Sequence, residues 1–138
     1  MTTSSARPGL RTNEDQIRRI FEVELASYVR AEDLDGYLSL WDEDCMWCPP
    51  NRPDRRGKDE IRTGVGDLLA EFAIDPSFRA EEVVVADEYG YVNGTLEAKV
   101  RPKGGGPESI VHGREIWLFR LASDGWKIAR IIFNDKPN

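Results

Sequence analysis

Glu115, Trp117, Arg130 and Asn134 are the side chains whose types and spacing could act together chemically. Two runs rich in β-branched and aromatic residues, 114–121 and 126–134, flank Ala122-Ser123-Asp124-Gly125. A Ser-Asp-Gly cluster between such runs reads as a hairpin turn. With Leu121 opposite Trp126, strict alternation sets Trp117 opposite Arg130, Glu115 opposite Ile132 and Gly113 opposite Asn134. That register gathers all four side chains on one face. A carboxylate, a guanidinium, an indole and an amide together suit a ligand cavity better than a plain core. Glu115 would serve as general acid or base, and Arg130 would stabilise an enolate or alkoxide. The bland reading is a structural ion pair, in which the arginine lowers the carboxyl pKa and weakens it as a base.

The same register puts Arg114, Ile116, Leu118, Ala129, Ile131 and Phe133 on the other face, with His112 opposite Asp135. His112, on the outer face near a strand end, reads either as a surface or dimer-interface residue or as half of an alternative dyad with Asp135, since a histidine beside a carboxylate titrates near neutrality. Tyr28, Trp41 and Trp47 read either as aromatic walls of the cavity or as core. The segment from Asn51 to Gly57 carries Arg52, Arg55 and Arg56, either as a solvated connector or as a basic lip that recruits an anionic ligand. Cys45 and Cys48 form a C-x-x-C within an apparent strand, where their odd separation points the thiols to opposite faces. They read as structural cysteines rather than as a redox or zinc pair. The sequence shows no metal-ligand spacing and no G-x-S-x-G nucleophile motif, so neither a metal nor another cofactor is expected.

These residues need elements to position them. Thr12 followed by Asp15 resembles a capping box, and Ile17, Ile20, Phe21, Leu25, Tyr28 and Val29 recur at helical spacing, which predicts a helix over 13–31. Asp33 can cap a second helix bearing Leu34, Tyr37, Leu38 and Trp41, stopped by the acidic residues at 42–44. A short strand over 45–48 ends at Pro49-Pro50. Ile61, Val65, Leu68, Leu69 and Phe72 predict a third helix over 58–72, with Gly64 and Gly66 marking close packing or a kink. Strands follow over 80–86, 91–100, 110–121 and 126–134. Helices packed on one side of an antiparallel sheet make an α+β fold, with a conical hollow between the layers.

Three stretches carry a family resemblance. They are Ala31 to Asp44 with its A-x-D-x-D pattern, Arg56-Gly-Lys-Asp-Glu-Ile-Arg62, and Gly125-Trp-Lys-Ile with the closing Phe133-Asn134. In this order and spacing the chain resembles the nuclear transport factor 2-like superfamily, particularly its SnoaL-like, ketosteroid-isomerase-like branch. The resemblance implies a cone-shaped α+β barrel, three N-terminal helices on a curved, mostly antiparallel sheet, and a homodimer through the outer sheet face. It also implies that the hairpin face bearing Trp117 looks inward. The isomerase's catalytic set does not carry over. The positions of its helix tyrosine, its aspartate base and its protonated aspartate are matched here by Leu25, Pro49 and Trp117.

The 138 residues read as one domain over 13–135, with a disordered leader over 1–12 and a tail over 136–138. The net charge of −6 argues against nucleic-acid and anionic-membrane partners. The leader lacks a secretory apolar region, so a cytoplasmic location is expected. The expected partner is a small apolar organic molecule, cyclic or polyketide-like. The expected chemistry is cofactor-free isomerisation, cyclisation or dehydration, with a non-catalytic ligand-binding domain as the alternative and an association domain as a third class. The apolar residues Ile116, Leu118, Ile131 and Phe133 on the outward face would form the dimer contact.

Overall fold

The computed structural model of the chain describes residues 12–136. The expected leader, apart from Thr12, and the last two residues of the expected tail lie outside them. The Thr12 side chain accepts a hydrogen bond from the Asp15 backbone N–H at 3.1 Å, which starts helix α1 (Asn13–Arg19) as its sequence predicts. The helical run continues through a π-helical turn (Ile20–Glu24) into α2 (Leu25–Ala31). Its buried stripe is Ile17, Ile20, Phe21, Leu25 and Ala26. Asp33 caps α3 (Leu34–Ser39) by accepting from the Gly36 N–H at 3.0 Å.

That second helix ends earlier than its apolar spacing predicts, and Trp41 opens strand β1 (Trp41–Cys48) instead. Two interactions draw the chain away from the helix. The Ile128 N–H donates to the Leu40 carbonyl at 2.8 Å, beginning a parallel ladder. Arg120 donates to both oxygens of Asp42 at 2.9 and 2.8 Å and fixes the acidic segment on the sheet. A two-residue strand β2 (Arg55–Arg56) pairs with β1 and leads into α4 (Gly57–Glu71). Four long strands follow: β3 (Phe72–Ala86), β4 (Tyr89–Pro102), β5 (Ser109–Ala122) and β6 (Gly125–Asp135). Each is longer than its propensity pattern alone predicts. The sheet order is β2-β1-β6-β5-β4-β3, antiparallel except between β1 and β6. The helices pack on one face of this curved, mostly antiparallel sheet, as the expected cone-shaped α+β fold requires, and the sheet itself is open. No helix among the described residues is long and apolar enough to cross a membrane.

The hairpin register agrees with the sequence at Leu121↔Trp126 and departs from it one turn later. Phe119 pairs with Ile128, but Leu118 pairs with Arg130, so Ala129 is an extra residue in β6. A bulge of one residue reverses the side-chain facing of everything beyond it. Trp117 therefore faces Ile131, Glu115 faces Phe133, and Gly113 faces Asp135. Ile131 turns inward and is 3% exposed; Ile132 turns outward and is 56% exposed.

The first helical run can lie close on the sheet because β4 carries Gly94 beneath Phe21. A Cβ at Gly94 would stand 2.6 Å from both the Arg79 carbonyl oxygen and the Phe21 ring. Backbone cannot yield as a side chain can. Gly94→Ala is therefore expected to destabilise the fold by about 1–3 kcal/mol, measured by urea unfolding. An unchanged midpoint would show that the helix is not seated this tightly.

Candidate active site

Between the helices and the inner sheet face lies a cavity of about 370 Å³. This is at the small end of the roughly 300–1,000 Å³ typical of ligand pockets. Leu25 and Val29 of α2, Leu68 of α4, and Phe72, Ile74 and Phe78 of β3 form apolar walls. Trp47 and Phe133 stack at 6.3 Å, and Trp117 meets Phe21 edge-on at 4.5 Å. Glu115 and Trp117, two residues apart on β5, both face the cavity, as alternation predicts.

Glu115 is 4% exposed. The Trp117 indole N–H donates to its Oε1 at 2.5 Å, and no cation pairs with it among the described residues. Burial pushes its carboxyl up to about 7, against a smaller lowering by the Trp117 hydrogen bond. This reverses the expected direction. The lowered pKa required Arg130 alongside, and the Ala129 bulge turns Arg130 outward. There it donates to the Asp44 carbonyl at 3.0 Å and to its own neighbour's carbonyl at 2.8 Å. Arg130 is thus not a cavity residue.

The bulge corrects five further positions. Asn134 also faces outward, where it accepts from Arg114 Nε at 2.8 Å. His112 and Asp135 form no dyad: Asp135 faces Gly113 and reaches the cavity rim, whereas His112 Nδ1 lies 3.7 Å from Glu97. Ile131 and Phe133, expected on the outer face, line the cavity.

The aromatic residues divide. Trp47 and Trp117 line the cavity. Tyr28 does not; its ring lies over Gly36 and seals the junction of α2 with α3. Trp41 is core at 1% exposure, packed 6.2 Å from the Tyr37 ring. Cys45 is buried and Cys48 half-buried, and desolvation raises both thiol pKa values, which suits inert structural cysteines. Gly64 marks close packing, since a Cβ there would meet Arg55 Nε at 3.0 Å and the Trp47 ring at 3.2 Å. Among the described residues no three His, Cys, Asp or Glu side chains gather as a metal site.

One polar group of the cavity was not singled out by sequence. Tyr37 is buried and lines the cavity. Burial, then the Glu115 carboxylate and more weakly Cys45, push its phenol far above the usual range. The Trp41 indole N–H lacks an acceptor of good geometry among the described residues, yet lies near enough to draw the phenol partly back. Tyr37 thus stays protonated at any working pH and remains a hydrogen-bond donor. In sequence it sits at i+3 from Leu34 on a helical apolar stripe, a position that reads as core. The phenol in that stripe is the available signal, because a buried tyrosine hydroxyl wants a polar partner.

Residues 17–131 match the model of the SnoaL-like domain. Among solved structures, a ketosteroid isomerase-like protein from Erwinia carotovora atroseptica is 20% identical with a TM-score of 0.80, covering 92% of this chain and 100% of its own. A conserved protein from Planctomyces limnophilus is 25% identical with a TM-score of 0.76, covering 87% and 98%. A candidate dehydratase of the nuclear transport factor 2-like family from Streptomyces avermitilis is 17% identical with a TM-score of 0.81, covering 91% and 98%. The search of curated proteins gives no match.

Proposed function

The chain belongs to the SnoaL-like family of the nuclear transport factor 2-like superfamily, and we propose that it is an enzyme moving a proton on a small, largely apolar substrate through Glu115. One observation carries the reading: a buried carboxyl, without a cationic partner among the described residues, opens into a cavity with largely apolar walls. Structural carboxylates of this burial are normally paired. A carboxyl poised near neutrality is what general acid–base catalysis requires.

In the proposed step, ionised Glu115 removes a proton from carbon next to a substrate carbonyl. The C–H electron pair forms the enolate double bond, and the carbonyl π pair moves onto oxygen. The Tyr37 hydroxyl donates a hydrogen bond to that oxygen. Where the substrate carries a neighbouring C=C, protonated Glu115 returns the proton to the far carbon of the dienolate as the carbonyl re-forms, giving isomerisation. Where it carries a β-hydroxyl, the enolate pair forms the new C=C, the C–O bond breaks, and the departing hydroxyl takes the proton and leaves as water, giving dehydration. The candidate dehydratase among the structural neighbours supports this class of chemistry at the level of fold.

The experiment is deuterium wash-in at the enolisable positions of a panel of neutral cyclic ketones, followed by NMR. The parent is expected to exchange at least one of them faster than buffer, with a rate rising through pH 7. Saturable binding without exchange by any of the panel would favour the alternative, a non-catalytic ligand-binding domain of the same fold.

The reading includes a homodimer through the outer sheet face, with the patch redrawn by the bulge. Ile116, 48% exposed, pairs directly across from Ile132, and Leu118 lies beside them. An apolar cross-strand pair left in water favours an interface. Ile132→Asp is expected to give a folded monomer by ultracentrifugation, because the position is outside the cavity and core. A parent that is monomeric at micromolar concentration would sink the dimer.

A further inference from the structure

Arg52 stands at the mouth of the cavity without an acceptor of its own. It lines the opening, and its guanidinium makes no ion pair or hydrogen bond with any described residue. Arg30, Arg62 and Arg120 differ, each being bonded to a carboxylate at 2.7–2.9 Å. We propose that the cavity takes a small monocarboxylate with an apolar body, held by Arg52 at the mouth with the body turned inward. This rests on the reading of the cavity as a substrate site, and adds the substrate's class to it.

The loop that carries Arg52 is built to hold it there. Met46↔Arg56 and Trp47↔Arg55 pin both ends of the connection over 49–54. Pro49, Pro50 and Pro53 fix their own backbone torsions, and Asn51 takes a left-handed turn at φ 59°. The Arg56 N–H donates to Glu60 Oε1 at 2.9 Å. The other two arginines of the loop are placed differently. Arg55 packs against Gly64 alongside Trp47, and Arg56 is exposed and absent from the cavity wall.

Desolvation at the inner end and charge at the mouth set the orientation and the number of charges. A carboxylate pushed to the inner end would lose its water among apolar walls with no cation among the described residues to pair it, which is unfavourable. At the mouth it meets a guanidinium fork suited to two parallel hydrogen bonds. Asp135 lines the same mouth, so the rim carries one positive and one negative group. That balance accepts a single negative charge and opposes a phosphate or a dicarboxylate. Trp47 and Phe133, stacked in the wall, offer flat apolar surface to the body of the ligand.

The test is calorimetric titration at pH 6 and low salt with matched pairs: 2-naphthoate and 2-naphthamide, 3-phenylpropanoate and its amide, cyclohexanecarboxylate and its amide. In at least one pair the parent is expected to bind the carboxylate about fivefold more tightly than the amide, the upper end for an ion pair open to solvent. Arg52→Gln should abolish that preference and leave amide affinity unchanged, which also reports an intact cavity; Arg52→Lys should restore part of it. The proposal is overturned by amides that bind as tightly as every carboxylate, by a preference that survives Arg52→Gln, or by no carboxylate binding saturably. Glu115→Gln should keep the preference. Carboxylate selectivity without ketone exchange would therefore defeat the proton-transfer reading and leave this inference standing.

Discussion

Glu115→Gln is expected to slow ketone exchange by about 10²–10⁴-fold, the usual contribution of a positioned general base. The amide matches the carboxyl in shape, and its carbonyl can still accept from the Trp117 indole, so the cavity should keep its form. What it loses is the capacity to take a proton. In the parent, the rate should rise as pH passes through 7, because burial holds the Glu115 carboxyl there and only its ionised form can act as base. The variant should show no inflection at that pH. Tyr37→Phe separates this role from that of the hydroxyl. It is expected to lower the rate by about 10²–10³-fold while the inflection near pH 7 remains, as for loss of one oxyanion donor. If Glu115→Gln keeps the parent rate and its pH profile, Glu115 is not the base and the proposed function fails with it.

The assignment of Glu115 could be reached from sequence because it needs only local facts. Glu115 and Trp117 are two residues apart on a strand, so they share a face whatever the strand pairs with. The Thr12 and Asp33 caps are local in the same way, and both form as the sequence predicts. The errors came from non-local pairing. Carrying Arg130 to the cavity required counting residues across the hairpin, and a single extra residue at Ala129 makes that count wrong. Arg130, Asn134, Ile131 and Phe133 all changed sides together, and the expected pKa shift of Glu115 changed sign. The sequence does hold a trace of the bulge. Trp126 and Ile128 are two apart, as are Ile131 and Phe133, but Ile128 and Ile131 are three apart. A run of Ile131-Ile132-Phe133 satisfies either register, which hid the break. Trp41 was lost for a related reason. Its helical spacing from Leu34, Tyr37 and Leu38 is genuine, but the parallel ladder to β6 and the Asp42–Arg120 pair outweigh local preference.

The stability of the parent is expected to fall as pH rises from about 4.5 to about 7, by about 3 kcal/mol through Glu115 alone. The direction follows from proton binding. Unfolded, Glu115 releases its proton near the ordinary value of 4.5; folded, burial delays release to about 7. Between those values the native state holds a proton that the unfolded state has lost, so raising the pH favours unfolding. The stabilisation is complete below 4.5 and gone above the folded value. In Glu115→Gln no proton is bound in either state, so this component is flat. The informative quantity is the difference between parent and variant in urea unfolding from pH 4.5 to 8, because other titrating groups cancel in it. Asp42 has its pKa lowered by the Arg120 hydrogen bonds, so its contribution is lost only as pH falls below its ordinary 3.8, outside this window. Desolvation raises the thiols of Cys45 and Cys48 above 9, beyond the other end. Between pH 4.5 and 8 the variant should therefore gain about 3 kcal/mol on the parent, an unusual result for replacing a buried charged residue. It also implies that ionised Glu115 is kept at a cost in stability, as expected of a group retained for chemistry rather than for folding. Parallel pH curves for parent and variant would mean that water reaches Glu115, and the apolar cavity around it would then be open.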